Sequence, residues 1–370
     1  MAEILGLGVS HYPPLSGLDE DMANAHRGRL KDPDIPATAK DPSSWSELAQ
    51  REWADPVAAA ASHRAAMRKG ISRVRQALDD FDPDFVLIWG DDQYENFKED
   101  IVPAFSVLAY EDMTIKPWAQ ASESSGFNAS IVDEWGGGRP NVWGERGDTE
   151  RLLRGHPEAA KYLATKLLEA EFDTAYAYRP LHHPGLPHAF LNAVLYLDYD
   201  RTGFDWPVVA MPINCYGTQV ISYRGFVSRW ADRGRPADPP SPSPKRCFDL
   251  GAAIARIFRD SPWRVAVLAS SSWSHAFLCD KTYRLAPDVA SDRLLYQAMQ
   301  DGDFEYWRNY KLEQLEESGQ QEVLNWLPLL GAMQEIEAKL EYSDFVETGI
   351  LNSSKVAAVY SPVKQKKQKK

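Results

Sequence analysis

Three short apolar runs, each ending in polar or turn-forming residues, constrain the fold of this chain most strongly. The runs are residues 3–10, 84–90 and 264–270. Runs of this length and composition are typical of strands that are buried on both faces of a sheet. Residues 57–80 lie between the first two runs and carry apolar side chains at helical spacing. Strand, helix and strand in this order predict a parallel βαβ unit.

The remainder of the chain extends this alternation into an α/β fold. The pattern predicts further strands at 172–178 and 206–213. It also predicts helices at 157–170 and over most of 288–340. We therefore expect a central, mainly parallel or mixed sheet with helices on both faces, in one α/β domain that spans residues 1–360.

Two segments interrupt the alternation and are predicted as long insertions. Residues 14–56 are rich in Pro, Asp, Gly and Ser, with WSELAQREWA as the one helix candidate. Residues 119–148 are rich in Gly, Ser and Asn, which favours a loop. Residues 361–370 contain five lysines and are predicted to form a disordered tail.

The net charge and the cysteine content indicate which partners and which cellular compartment to expect. The chain has 53 acidic residues against 41 Lys and Arg, a net charge of −12. Because nucleic-acid binding needs a basic face, we expect no nucleic-acid partner. The three cysteines are widely spaced and predict no disulfide framework. With no apolar run of about 20 residues and no basic signal region, we expect a cytoplasmic protein without a membrane partner.

Histidine and acidic residues are concentrated in four loops. Ligand sites in open α/β sheets form at the carboxyl ends of the strands, and three of these loops follow predicted strands. They carry His11, the acidic residues 91–95 and His275. The fourth loop, RPLHHPGLPHAF, carries His182, His183 and His188. Five of the eight histidines therefore lie in these loops, which indicates a functional site.

Glu322 lies in the otherwise apolar stretch GQQEVLNWLPLLG. A buried carboxylate is costly without a cation, a proton or a metal beside it. Two neutral donors from strand ends and one carboxylate could hold a divalent metal, as in the facial triad of non-heme Fe(II) oxygenases. Each residue also has a structural interpretation, since Asp91 and Asp92 can cap a turn and His11 can be an ordinary core histidine. Spacing alone leaves these alternatives open.

Six blocks, in order along most of the chain, resemble the class III extradiol ring-cleavage dioxygenases. The blocks are VSHYPPL, DFVLIWGDDQYENF, PLHHPG, PKRCFDLG, VAVLASSSWSH and QQEVLNWLPLLGA. This is the family of the protocatechuate 4,5-dioxygenase catalytic subunit, and GDDQYENF is most similar to the branch that includes 3-O-methylgallate dioxygenase. The resemblance implies a non-heme Fe(II) enzyme that opens a catechol-type ring, with vicinal hydroxyl or hydroxyl and amino groups, using O₂.

The resemblance also implies roles for individual residues. His11 and Glu322 match the metal ligands of the family. His275 matches the active-site acid/base, which handles the proton of a substrate hydroxyl. His183 is our choice for a second catalytic histidine that contacts the substrate. His182 is an alternative for this position and is predicted to bind substrate.

One departure from the family concerns the second metal-binding histidine, whose position aligns with Gln93. A glutamine amide is a weaker ligand for Fe(II) than an imidazole. We expect a ligand within residues 91–95, with Gln93 or Glu95 favoured. Asp92, and His63 from the preceding helix, are the alternatives.

Aromatic residues beside the motifs are candidates for the walls of a substrate site. Tyr94 and Trp273 are predicted to bind the substrate ring. Arg179 or Tyr216 is a candidate for binding a substrate carboxylate.

The leading hypothesis is an extradiol dioxygenase of aromatic catabolism, with a small aromatic substrate and O₂ as partners, working as a homo-oligomer. A metal-dependent hydrolase or lyase on the same scaffold is the alternative, because a carboxylate-rich site suits water activation. A non-catalytic binding relative that has lost its metal is a third possibility.

Overall fold

The computed structural model describes residues 3–118, 141–224 and 229–361. Its centre is an eight-stranded sheet, with a separate pair of strands, β4 and β5, beside it. In chain order the strands are β1 (Ile4–Val9), β2 (Phe85–Asp91), β3 (Ser106–Leu108), β4 (Met113–Ile115), β5 (Arg151–Leu153), β6 (Ala175–Ala177), β7 (Val208–Ile213), β8 (Val265–Ser270), β9 (Lys339–Val346) and β10 (Lys355–Ser361). The order across the large sheet is β6-β3-β7-β2-β8-β1-β10-β9.

Four neighbouring strands at the centre of this sheet, β7, β2, β8 and β1, are parallel. The pairs β1–β10, β10–β9 and β3–β7 are antiparallel, while β3 and β6 are parallel. The expected mixed sheet is therefore confirmed. Because the four central strands share one direction, their carboxyl ends and the loops that follow them meet at one edge.

Helices cover both faces of the sheet, as the sequence predicts. The helices described are α1 (Asn24–Leu30), α2 (Ala37–Lys40), α3 (Glu47–Ala54), α4 (Pro56–Phe81), α5 (Pro157–Glu169), α6 (His188–Leu197), α7 (Pro244–Arg259), α8 (Val289–Asp301), α9 (Phe304–Arg308), α10 (Leu312–Glu317) and α11 (Trp326–Glu335). Helices α4 and α6 pack on one face, and α5, α7 and α11 pack on the other. Successive side chains of the central strands alternate between these two layers.

Two glycines in β1 allow α11 to pack directly on the strand. A Cβ atom on Gly8 would lie 2.3 Å from the Trp326 ring, and one on Gly6 would lie 2.2 Å from the Met333 sulfur. Side chains at these two positions would therefore push the helix away. This close approach brings the 3₁₀ turn Gln321–Asn325, which immediately precedes α11, to the edge where the central strands end.

Several elements differ from the sequence-based expectations. The prediction of one helix in the 14–56 insertion is wrong, because α1 and α2 form there in addition to α3. The strand expected over 172–178 is reduced to the three residues of β6. The antiparallel β9–β10 pair at the sheet edge was not predicted. Its strand β9 is only partly buried, so it lacks the apolar run that marks the central strands.

Other expectations fall partly outside the described ranges. Residues 119–140 of the second predicted insertion lie outside them, and residues 141–148 form turns and irregular backbone. The predicted tail lies outside them from residue 362 onward. Within the described ranges, no helix combines the length and the apolar character that a membrane crossing requires.

Candidate metal centre

His11 lies just beyond the carboxyl end of β1, with a defined ring orientation. Its Nδ1 atom is 3.0 Å from the backbone oxygen of Ser270, the last residue of β8. A ring nitrogen that meets a carbonyl must carry the proton, so Nδ1 donates and Nε2 keeps its lone pair. Nε2 lies 3.7 Å from Glu322 Oε2 and 4.0 Å from Asp91 Oδ1. This is the orientation of a histidine that binds a metal through Nε2.

His188 is the first residue of α6 and is held by Glu95. The Nδ1 atom of His188 is 2.9 Å from Glu95 Oε2, and its backbone N–H donates to Glu95 Oε1 at 3.0 Å. The carboxylate therefore occupies Nδ1, so a metal would bind through Nε2 and displace its proton, as in carboxylate–histidine–metal arrangements. Burial lowers the pKa of His188, but the Glu95 carboxylate outweighs burial and raises this pKa to about 9.

Asp91, the last residue of β2, completes a buried group with the two histidines. His11, Asp91 and His188 each offer one ligand atom, and these atoms all lie within 4.8 Å of one another. The rings of His11 and His188 meet edge to face, with centroids 5.0 Å apart. Asp91 Oδ1 accepts a hydrogen bond from Asn325 Nδ2 at 3.3 Å.

Glu322 reaches the same edge from the turn before α11. Its Oε1 atom accepts hydrogen bonds from the Tyr216 hydroxyl at 2.5 Å and from Gln93 Nε2 at 3.1 Å. The same oxygen lies 3.3 Å from His275 Nε2. Burial and the charge of Asp91 raise the pKa of Glu322 well above its ordinary value.

The unpartnered oxygens of this site fit a divalent cation. Asp91 Oδ2 and Glu322 Oε2 are both buried and have no hydrogen-bond partner in the part of the chain that the structure describes. Two buried carboxylate oxygens without donors are costly unless a proton or a cation compensates them. With the lone pair of His11 beside them, these atoms are a donor set of imidazole and carboxylate that suits a divalent metal.

His275 follows β8 and lies against Glu322. Its Nδ1 atom is buried without a hydrogen-bond partner within the described ranges. Burial and the charge of Lys355 lower the pKa of His275 to about 3. The ring is therefore neutral at pH 7, and its Nε2 atom faces Glu322 Oε1.

The predicted ligand residues in the loop after β2 make different contacts from one another. Asp91 belongs to the buried group, whereas the Asp92 carboxylate accepts from backbone N–H groups of the same loop. Glu95 lies behind His188 and orients it. The amide nitrogen of Gln93 contacts Glu322 and the Tyr216 hydroxyl.

Three predicted histidines lie outside the buried group. His63, on α4, packs edge to face against Tyr12 with ring centroids 6.0 Å apart. His182 is partly exposed, and its Nε2 lies 2.9 Å from Asp100 Oδ1. His183 accepts a hydrogen bond from a backbone N–H two residues further along the chain.

The two predicted substrate-binding aromatic residues have other partners. The Tyr94 hydroxyl donates to Glu99 Oε1 at 2.5 Å. Trp273 is fully buried and contacts the rings of Trp307 and Trp326 in the core between the sheet and α11.

His188 and Asp91 are the residues that the sequence analysis did not choose as ligands. His188 was counted among the clustered histidines, and Asp91 lay within the favoured stretch. Pro187 directly before His188 was the available signal, because it marks the start of α6. A histidine on the first turn of a helix has a more defined position than one inside a Pro/Gly-rich turn.

Comparison with known proteins identifies a similarity to one enzyme family. Residues 237–357 match the family model described as the catalytic LigB subunit of aromatic ring-opening dioxygenase. This segment of the chain is similar to LigB-type dioxygenases. The matched segment contains two of the site residues, His275 and Glu322, and the resemblance to the extradiol dioxygenases is thereby confirmed.

A curated protein to which this chain is similar is the 2,3-dihydroxyphenylpropionate/2,3-dihydroxicinnamic acid 1,2-dioxygenase of Photorhabdus laumondii. The two are 23% identical over 226 residues, which are 60% of this chain and 53% of the relative. The chain thus spans about half the length of the curated relative. A crystal structure of an uncharacterized protein from Escherichia coli K12 superposes with a TM-score of 0.45 and 13% identity, covering 79% of this chain and 91% of that one.

Proposed function

We propose that this protein is a non-heme Fe(II)-dependent extradiol dioxygenase that opens the ring of a catechol-type aromatic substrate with O₂. The observation that carries the proposal is the buried group of His11, Asp91 and His188, with Glu322 facing His11. Two imidazoles and a carboxylate are the donor set of non-heme Fe(II) oxygenases, which leaves positions open for substrate and O₂. The similarity of residues 237–357 to the LigB family supports the same class of reaction.

The metal would be held by His11 Nε2, His188 and Asp91, with Glu322 Oε2 3.7 Å from His11 Nε2. A bound Fe(II) would supply the redox chemistry with O₂ that closed-shell side chains lack. The family has a metal-binding histidine at the position of Gln93. In this chain, Gln93 would support the metal site indirectly, through Glu322. Its amide and the Tyr216 hydroxyl both donate to this carboxylate and fix its orientation.

Proton transfer is assigned to His275. Its Nε2 atom lies 3.3 Å from Glu322 Oε1, so a substrate hydroxyl that binds beside Glu322 comes within its reach. A neutral imidazole accepts the hydroxyl proton and returns it later in the reaction. Burial excludes bulk water from this exchange, because His275 and Glu322 are both almost fully buried.

The decisive experiment is O₂ uptake by protein purified without air and loaded with Fe(II). A panel of catechols, gallates, aminophenols and dihydroxypyridines is offered, with Zn²⁺-loaded protein as the control. We expect uptake that is stoichiometric with one substrate class and depends on iron. Bound iron without uptake, together with turnover by the Zn²⁺ form, would favour a metal-dependent hydrolase or lyase. Failure to bind any metal would favour a non-catalytic relative.

The same proposal includes a cytoplasmic homo-oligomer whose partners are a small aromatic substrate and O₂. The acidic net charge of −12 supports the absence of a nucleic-acid partner. Light scattering coupled to size-exclusion chromatography tests the oligomeric state, and a monomer at micromolar concentration would contradict it.

A further inference from the structure

The ring of His275 is placed differently from the rings of His11 and His188, which are oriented through Nδ1. The Nδ1 atom of His275 is buried and has no hydrogen-bond partner among the residues described. Its Nε2 atom lies 3.3 Å from Glu322 Oε1. Because Nδ1 does not fix the ring, this distance depends on how the backbone holds the two residues, His275 in the loop 271–275 and Glu322 in the turn 318–322.

The loop and the turn are in direct contact. The backbone N–H of His275 donates to the Gly319 backbone oxygen at 2.7 Å. The hydroxyl of Ser274 donates to the Ser318 backbone oxygen at 2.5 Å. A Cβ atom on Gly319 would lie only 2.5 Å from the His275 backbone oxygen. A small shift of either segment would therefore move His275 relative to the turn.

Asp292, in the first turn of α8, binds both segments through one atom. Its Oδ1 atom accepts from the backbone N–H of Ser274 at 3.1 Å and from Gln320 Nε2 at 2.7 Å. Ser274 directly precedes His275, and Gln320 lies two residues before Glu322. One acceptor on a helix thus holds both the loop and the turn close to the residues that face each other.

The Asp292 carboxylate is completely buried. Burial raises the pKa of Asp292 to about 7, although the hydrogen bonds from its donors oppose this shift. Placing a carboxylate here costs stability, because charged groups are poorly solvated in the interior. What the carboxylate provides is a fixed position, since residues on helices hold a site more precisely than residues on loops.

We propose that Asp292 is a positioning residue that holds His275 within hydrogen-bonding distance of Glu322. The inference rests on the proposed function, in which His275 transfers the substrate proton, and Asp292 acts only through His275. Without the shared acceptor, the Ser274 N–H and the Gln320 amide would be buried donors without a partner. Such donors are costly, so the loop and the turn would move to find other acceptors.

The test is the NMR spectrum of the histidine rings, which needs no turnover. The whole chain is labelled with ¹⁵N-histidine, loaded with diamagnetic Zn²⁺ and measured at pH 8, above the pKa of Asp292. His275→Gln assigns the ring signals of His275. Asp292→Ala removes the acceptor, so we expect the Nε2 signal of His275 to shift as its contact with Glu322 is lost. Asp292→Asn keeps Oδ1 as an acceptor and should retain the wild-type signal.

Asp301→Ala is the matched control. Asp301 lies at the other end of α8 and accepts from Gln297 Nε2 at 2.9 Å, in an exposed position. It should leave the His275 signal unchanged. Gln320→Met guards against a folding defect in Asp292→Ala, because it removes one donor and keeps the bond to Ser274. We expect a smaller shift from it. Circular dichroism and thermal melting establish that each variant is folded.

O₂ uptake connects this position to the reaction. With Fe(II) and the substrate that the panel identifies, folded Asp292→Ala should lose about 10²-fold in kcat, the effect of misplacing a catalytic group by about 1 Å. KM should change little, because the residues proposed to hold the metal are untouched. Asp292→Asn should retain turnover.

The outcomes separate the positioning role from the dioxygenase function. An unchanged His275 signal in folded Asp292→Ala, or in folded Gln320→Met if Asp292→Ala does not fold, would overturn the positioning role. An equal shift in Asp301→Ala would also overturn it. A shifted signal with full turnover would overturn the part that Asp292 plays in the reaction. A shifted signal in a protein whose wild type takes up no O₂ would retain the positioning role and overturn the dioxygenase function.

Discussion

At the scale of single residues, the candidate centre depends on how each histidine is oriented. Ser270 fixes the ring of His11 through Nδ1, and Glu95 fixes that of His188. Each contact leaves Nε2 available to a metal. Removing such an orienting partner typically weakens metal binding about 10–100-fold without removing a ligand.

We therefore predict that Glu95→Gln weakens Co²⁺ binding about 10–100-fold, while His188→Ala weakens it more strongly. His182→Ala is the control, since His182 lies outside the buried group and pairs with Asp100. Calorimetry and the visible absorption of bound Co²⁺ provide the measurement. Unchanged affinity in folded His188→Ala would exclude His188 as a ligand.

The acid/base role of His275 makes a different prediction. His275→Ala should keep the metal, because His275 contacts Glu322 and is not part of the His11–Asp91–His188 group. It should lose about 10²–10⁴-fold in turnover, the usual contribution of a general acid/base. Metal content and O₂ uptake are measured on the same sample. His11→Ala, which removes a ligand, should lose both, and full turnover in His275→Ala would refute the role.

At the scale of elements, the 14–56 insertion is held to the rest of the molecule by His26 of α1. His26 Nδ1 donates to the Leu285 backbone oxygen at 3.0 Å, and its ring packs against Trp45 and Trp53. Burial, together with the charge of Arg29, lowers the pKa of His26 to about 3. The folded insertion thus requires a neutral ring.

This lowered pKa predicts acid sensitivity. The stabilisation from neutral His26 is complete above pH 6.5 and is lost as the pH falls toward 3. At pH 5 the loss amounts to about 2 kcal/mol relative to pH 7.5. Urea unfolding at both pH values is compared for wild type and His26→Gln. The variant should lose less stability on acidification, and an equal loss in both proteins would contradict the prediction.

The individual strands and helices differ in how well the sequence predicts them. The central strands were predictable because both of their faces are buried, so that each reads as an apolar run. The partly buried β9 has no such run, and α1 and α2 are too short for a periodic pattern.

The candidate site follows the same logic. Glu322 stood out as a charge in an apolar stretch, and His11 and His275 follow strands. The proposed ligand role of His188 depends on the path of a Pro/Gly-rich turn, which spacing does not encode.

Close packing of α11 on β1 links this element pair to the site. Gly8→Ala should cost about 1–3 kcal/mol, the usual penalty for overpacking a core, because its Cβ would collide with the Trp326 ring. Displacement of α11 should also weaken Co²⁺ binding, since Glu322 lies in the turn before it. Gly28→Ala, in an exposed position of α1 with open space around it, is the control. Equal stability of both variants would contradict this packing.

At the scale of the whole molecule, the candidate metal centre joins parts of the chain that are distant in sequence. His11 follows β1, Asp91 ends β2, His188 begins α6 and Glu322 precedes α11. A metal would therefore crosslink the strand edge to helices on both faces. Without a cation, the buried Asp91 and Glu322 oxygens that lack partners destabilise the folded state, because unfolding exposes them to water. Metal binding and global stability are therefore coupled.

This coupling predicts that removing the metal lowers the stability of the entire fold. With free metal at about 100 times its Kd, the bound state gains about 2.7 kcal/mol. The melting temperature should rise with metal concentration and return to the metal-free value after chelation. His11→Ala should melt at the same temperature with and without metal, because it lacks a ligand. If neither metal nor chelator changes the melting temperature of the wild-type protein, no cation occupies the site that these four residues line.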